Sequence, residues 1–513
     1  MAAAARLLLQ VLAMPPYAGL DEGFHVARVS FVAATGHQPS ADEPSVARYF
    51  FRSFNALGDA PPSFEMARGK WPALVALRPQ GWRDVPLDAA ARSDLVAPNY
   101  EAQQASLYYA LVAPLDRLFG STELRELLVL RLLAVALGAV TALATALLAA
   151  RLWGRPGFLA GLLLLATPTW ITLVARAGND ALACAALAVA LLLSARPGET
   201  WTSRIGEAAS WAVAAATKLY AWPAALLLPL LWPKDASRTR RLVVALAFAV
   251  AVTATALDLQ ARTGNPTGKY ELRTPEAVPL SGDSLRGVAA LPWFDYAKVF
   301  VGSAIWTSGP HADFLRPAGL VLFLLPWALL AAAGLAAWSD LPRRRGALLL
   351  AAVAVFAAAE VGQAWGAIRQ AVRGHPTVGA GLAGWYLHAF DPIWYGVGVG
   401  FAVAASVARR RGMLVAVALG LAFAADVWVT EFALFPDYAG LATPDVAGTL
   451  FRWGGGAAWP SLVRLGTFGL ATPSPWLAAG LRLLEGAAFG ALAVFALRPG
   501  GGVAAPSDRR MTV

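Results

Sequence analysis

Pro15-Pro16-Tyr-Ala-Gly-Leu-Asp21-Glu22-Gly-Phe-His25-Val-Ala-Arg28 ends the first apolar run of the chain and opens a long polar stretch. Two adjacent acids and a histidine are costly beside hydrocarbon, so at a membrane lip they point to function. The same residues also suit a proline turn and an aspartate cap on an interfacial helix. The surrounding composition decides the fold. The 513 residues are 58% hydrophobic and their mean hydropathy is +0.55, against about 45–50% apolar residues in an ordinary soluble domain. This is the composition of an all-α polytopic membrane protein.

The net charge of +10 falls in short basic clusters between apolar runs, as in cytoplasmic loops. That argues against nucleic acid as a partner. The single Cys184 excludes an intrachain disulfide,. Scarce lysine beside abundant Arg, Ala and Gly suggests a GC-rich bacterial source.

Basic clusters at Arg151/Arg155, Arg196/Arg204, Lys234/Arg238/Arg240/Arg241, Arg343–Arg345, Arg409–Arg411 and Arg498/Arg509/Arg510 fix the topology if all are cytoplasmic,. Residues 2–19 form a short first span. Further spans follow near 127–150, 157–174, 178–195, 240–259, 314–337, 346–368, 386–407, 412–434 and 475–497. The run 205–232 goes out and back as two short helices turning near Thr217-Lys218. About twelve spans result, with both termini inside. Residues 1–434 form the main transmembrane module, and 435–513 form a loop, the last helix and a tail. The extracytoplasmic loops cover about 20–126, 260–313 and 435–474, with a juxtamembrane helix at 103–119. A surface helix from His25 to Thr35 is expected to turn Phe24, Phe31 and Val32 to lipid. Asp180, Glu360, His388, Asp391, Asp426 and Glu431 all fall towards the outer ends of their spans. A carrier would more often keep such groups at the midplane.

Asp21-Glu22-x-x-His25 is followed in order by Tyr100-Glu101-Ala-Gln-Gln104-Ala-Ser-Leu107-Tyr108-Tyr109, Arg151-Leu-Trp-Gly154 and Thr167-Pro168. Gly178-Asn179-Asp180 and Thr217-Lys218-Leu219 come next, then Phe300-Val-Gly-Ser-Ala-Ile-Trp306 and Gly384-Trp385-Tyr386-Leu387. This series resembles the ordered landmarks of GT-C-fold integral membrane glycosyltransferases, in particular a bacterial branch of that superfamily. The resemblance implies inverting transfer of a sugar from a polyprenyl-phosphate donor to a glycan, lipid or protein acceptor of the cell envelope. It implies a site on the outer face of the bacterial inner membrane. The chain departs from the pattern at Ala105-Ser106, which replaces Pro-Pro, and at Trp385, which replaces an arginine. Arg369, Arg373 and His375 stand nearby as substitutes.

Such a transfer needs a general base and donors for the departing phosphate. Asp21 is the expected base, with His25 and Arg28 on its helix face at i+4 and i+7. Glu22 points about 100° away and is the weaker acid. Glu101 is the second acid, orienting the acceptor or holding a divalent ion with Asp21. Gln104 and Tyr108 accompany it in the substrate-binding set. Asp180 is placed there too, with a helix N-cap as its plainer role. Lys218 either snorkels to the interface or meets phosphate. Arg369 and Arg373 also face the donor, and His388 and Asp391 meet on one helix face at i, i+3. No cluster reaches the ligand count of a metal site, and no phosphate loop, dinucleotide fingerprint or zinc-protease pattern is present. The competing functions are a transporter or flippase for a lipid-linked substrate, and a non-catalytic scaffold subunit.

Overall fold

The computed structural model describes residues 1–14, 17, 21–50, 86–268, 317–372, 388–431, 435 and 475–498. Most of them are helical. Four helices are long and apolar enough to cross a bilayer: Glu123–Trp153, Arg238–Thr263, His388–Ala408 and Gly412–Val429. The pair Arg155–Leu165 and Pro168–Ala175 makes a fifth if counted as one span. Ala2–Ala13, Asn179–Ser194 and Leu324–Ala336 are shorter apolar helices. The described residues therefore support a multi-helix membrane architecture and do not establish the count of twelve.

Three departures from the expected spans have local causes. The expected span 157–174 bends by 72° between Leu165 and Pro168. Pro168 opens the second piece; it lacks an N–H and disfavours helix in the residue before it. The run 205–232 turns where expected, because the helix Trp201–Thr217 stops at Lys218. Its return leg, however, is mainly 3-10 turns over Pro223–Leu227 and only one helical turn at Leu228–Leu231. Pro223 and Pro229 each remove a backbone donor there. The helix beginning at His388 passes through a π segment at Trp394–Val399 before becoming regular again at Gly400–Ala408.

At the end of the bundle that carries the 20–126 loop, the lip helix Glu22–Thr35 runs up to Gly36, whose left-handed φ of 79° ends it,. It is not a surface helix. Phe31 and Val32 are buried, packing in one cluster with Tyr109, Val112, Leu127 and Leu130, and Phe24 is half-buried against that cluster. The expectation that these three side chains face lipid is corrected accordingly. Protein covers the helix from several sides: the helix Leu107–Phe119, the first turns of Glu123–Trp153, and a two-stranded antiparallel sheet of Pro44–Ala47 with Leu95–Pro98. A helix buried on most faces needs no amphipathic stripe, which is why its sequence did not reveal an orientation.

The helix Asn179–Ser194 is the strut that positions the site, and it is pinned at its far end by a saturated network. Arg240 donates to Glu207 Oε2 at 2.6 Å and to the carbonyls of Leu193 and Ser194 at 2.7 and 3.1 Å. Ser194 Oγ and Trp232 Nε1 donate to Glu207 Oε1 at 2.8 and 2.7 Å. A cation on the last carbonyls complements the helix dipole. Glu207 and Arg240 are both buried, so removing one strands the other. Glu207→Ala is expected to lower stability by about 3–5 kcal/mol, read from denaturant unfolding in mixed micelles. A loss under about 1 kcal/mol, the value of an exposed pair, would show that the network is not structural.

Candidate active site

The near end of the same strut gathers the charged residues. Asn179–Ser194 begins at Gly178, and neither Asn179 nor Asp180 caps it through its side chain, so the plainer role expected for Asp180 is not what the chain uses. Asp180 instead accepts from Arg176 Nη2 at 2.5 Å and also from Lys218 Nζ. Lys218 reaches Asn179 Oδ1 at 3.3 Å as well. It is buried and does not snorkel outwards. The break after Thr217 aims this lysine inward, because the helix ends one residue earlier.

Two buried cations thus share one aspartate. Arg176 is only 4% exposed, and its Nε and Nη1 have no hydrogen-bond partner. A buried guanidinium with unmet donors is costly and calls for an acceptor. Sequence reading missed Arg176. Its signal was a lone arginine at the end of the expected span 157–174, just ahead of Gly178-Asn179-Asp180 and apart from every basic cluster.

Asp21 sits beside this group. It occupies the N-cap position of the lip helix with φ of 55°, and its side chain makes no cap hydrogen bond. Left-handed backbone in a residue other than glycine carries strain, and here no capping bond offsets it. The carboxylate makes no hydrogen bond among the described residues. Its side chain keeps solvent access although protein packs densely around it. That crowding raises its carboxyl above the usual range, while Arg176 and Lys218 pull it down and Asp180 pushes it up.

Glu101 approaches from the other side, on the 3-10 turn Tyr100–Gln103. Asn99 caps this turn by accepting from the Glu101 N–H at 2.8 Å, and ties it to the lip helix by donating to the Phe24 carbonyl at 2.9 Å. Glu101 is buried and its Oε2 has no hydrogen-bond partner. Burial, then the nearby Asp21 charge, pushes its carboxyl up to about 8. His25 Nδ1 lies 3.6 Å from that oxygen and 2.7 Å from the Tyr109 hydroxyl. Burial and the neighbouring Arg176 hold His25 well below its ordinary value, so it is a neutral imidazole and the 3.6 Å approach is not an ion pair.

The remaining candidates divide. Glu22 is withdrawn from chemistry: Arg131 grips its two oxygens at 2.8 and 2.7 Å, and the Ala177 N–H donates to Oε1 at 2.9 Å. Glu22, expected among the catalytic acids, thus has both oxygens engaged by protein groups. Arg28 stacks on Tyr109 with its guanidinium carbon 3.8 Å from the ring centre, and donates to backbone carbonyls rather than to the cavity. Tyr108 meets the backbone amide of Gly178. Gln104 Oε1 accepts from Asn179 at 3.4 Å. His388 and Asp391 pair at 2.6 Å, one helical turn deeper, against Cys184. Arg373, His375, 300–306 and 384–387 lie outside the described residues, as does the side chain of Arg369.

Asp426, expected near the external cavity, is enclosed by Arg6 at 2.9 Å and Arg482 at 2.9 Å. It joins the first and last described helices. Among the described residues no group of three or more His, Cys, Asp or Glu is placed to hold a metal ion. Asp21 and Glu101 supply only two carboxylates for the divalent ion considered from the sequence.

No family model and no curated protein matches the chain. Among solved structures, the crystal structure of ArnT from Cupriavidus metallidurans in the apo state is similar with a TM-score of 0.38 and 16% identity, over 88% of this chain and 76% of that one.

The raised Glu101 value has a consequence for stability. A carboxyl with its folded value near 8 and its ordinary value at 4.5 binds more protons folded than unfolded between those limits. Its contribution is full below about pH 4.5 and is lost as pH rises to about 8. Glu101→Gln is therefore expected to flatten the decline of the thermal midpoint across that window and to gain most at its alkaline end. Parallel curves for the two proteins would contradict the burial of this carboxyl.

Proposed function

We propose that the chain is a GT-C-type membrane glycosyltransferase that takes a sugar from a polyprenyl-phosphate donor on the extracytoplasmic face of the bacterial inner membrane. Both termini lie in the cytoplasm, and the acceptor is a glycan, lipid or protein of the envelope. The observation that carries this reading is one juxtaposition. Asp21, a strained and unbonded carboxylate, stands beside Arg176, a buried arginine with two unmet donor nitrogens. Base and anion receptor are the two groups such a transfer requires.

In this mechanism Asp21 takes the proton of the acceptor hydroxyl as its oxygen bonds to the anomeric carbon. The bond from that carbon to the phosphate oxygen breaks, and its electron pair leaves with polyprenyl phosphate. Arg176 Nε and Nη1 and the Lys218 ammonium receive the developing charge. Asp180 holds both cations in place without cancelling them. Glu101, protonated at neutral pH, donates to the acceptor or the sugar. Neutral His25 and Tyr109 line the same wall. Arg176 takes the role for which Arg369 and Arg373 were nominated from the sequence, and so supplies the positive charge that Trp385 cannot.

Asp21→Asn is expected to lower sugar transfer by about 10²–10⁴-fold in membranes supplied with donor, with donor binding retained. Arg176→Gln is expected to weaken binding of polyprenyl phosphate and to lower transfer by about 10²–10³-fold. Near-normal transfer by Asp21→Asn would remove the base from this scheme.

A further inference from the structure

Glu101 has an unusual means of support. Its Oε2 has no hydrogen-bond partner although the residue is buried, so no hydrogen bond to that oxygen fixes where it points. Its position is inherited from the backbone of residues 101–104. A four-residue 3-10 turn has few bonds of its own and poor hydrogen-bond geometry. The turn is held from outside instead, by two arginines on opposite sides.

Arg28 donates through Nη1 to the carbonyls of Glu101 and Gln104 at 2.5 and 3.0 Å, and to Gln38 through Nε and Nη2 at 3.1 and 2.8 Å. Arg262 lies at the end of the helix Arg238–Thr263. It donates through Nη1 to the carbonyls of Ala102 at 2.5 Å and Pro39 at 3.3 Å, and through Nη2 to Gln104 at 3.0 Å. Asp258, one turn earlier, fixes the Arg262 fork through Nε at 3.0 Å and Nη2 at 2.8 Å. The other end of the ring closes where Ser106 Oγ donates to Asp258 Oδ2 at 2.7 Å. Three carbonyls in four residues are therefore bound by planar, fixed forks, and only a guanidinium offers that geometry.

We propose that Arg262, oriented by Asp258, is a positioning residue that clamps the 101–104 backbone so that the Glu101 carboxyl faces Asp21 and His25. The clamp joins the outer end of a membrane-spanning helix to the acid pair. This inference rests on the reading that Glu101 belongs to the working site, but its primary test does not need sugar transfer.

The test is an infrared titration of the Glu101 carboxyl in full-length protein in lipid nanodiscs, isolated by subtracting the spectrum of Glu101→Gln. Wild type is expected to titrate at about 8. Arg262→Ala should lower the midpoint by about one unit or more, because a released carboxyl gains water. Loss of the arginine's charge alone would raise a carboxyl midpoint, so a fall identifies repositioning and not electrostatics. Arg262→Lys keeps the charge without the fork and should also fall, by less. It is the variant to use if Arg262→Ala is not monodisperse. In the transfer assay, kcat should fall with donor KM nearly unchanged. A midpoint that stays or rises in Arg262→Ala and Arg262→Lys would overturn the clamp. If the midpoint falls as expected while wild type transfers no sugar, the clamp stands and the glycosyltransferase reading fails.

Discussion

Asp180 binds two cations with one carboxylate, and the character of the site follows from that imbalance. Arg176 and Lys218 are both buried against it. Buried charge is tolerated only when paired, so one positive charge must find its balance elsewhere. Asp21 is close enough to feel both cations, yet it forms no hydrogen bond with either. The result is a wall where two cations and two carboxylates balance in charge, with unmet Arg176 nitrogens beside a carboxylate that forms no hydrogen bond among the described residues.

Adjacent residues at the lip carry opposite duties. Glu22 is locked into Arg131 and the Ala177 amide, both carboxyl oxygens used and no water reaching them. That pair fixes the start of the lip helix to the long helix Glu123–Trp153 and to the end of the bent pair. It thereby holds Asp21 in its left-handed conformation one residue earlier. The strain at Asp21 persists because the surrounding structure determines it, and Glu22 is a principal part of that surrounding.

The fold was legible where physics is local. Hydropathy located the long helices, and Thr217-Lys218 marked the turn of the next hairpin, whereas the break at Pro168 lay inside what was read as one span. Helix spacing set Asp21 and Glu22 on different faces, and in the structure Glu22 is paired with Arg131 while Asp21 makes no cap hydrogen bond. What the sequence hid was tertiary. Phe31 and Val32 looked like lipid anchors because burial by protein and burial by lipid select the same residues. Asp180 looked like an N-cap because its partners lie 4 and 38 residues away. Arg176 passed unnoticed because a single arginine is ordinary until its free nitrogens are seen. Arg28 was read as a site residue from its helix face, whereas its fork is spent on the Glu101 loop.

The central claim is that the group at Asp21, Arg176 and Lys218 receives a phosphate-linked sugar. The most direct measurement is a structure of the full-length protein in nanodiscs with a non-hydrolysable polyprenyl-phosphate sugar analogue. The account predicts phosphate oxygens within hydrogen-bond distance of Arg176 Nε or Nη1 and of Lys218, with the anomeric carbon turned towards Asp21. A phosphate bound away from Arg176, or a sugar with no path to Asp21, would contradict it.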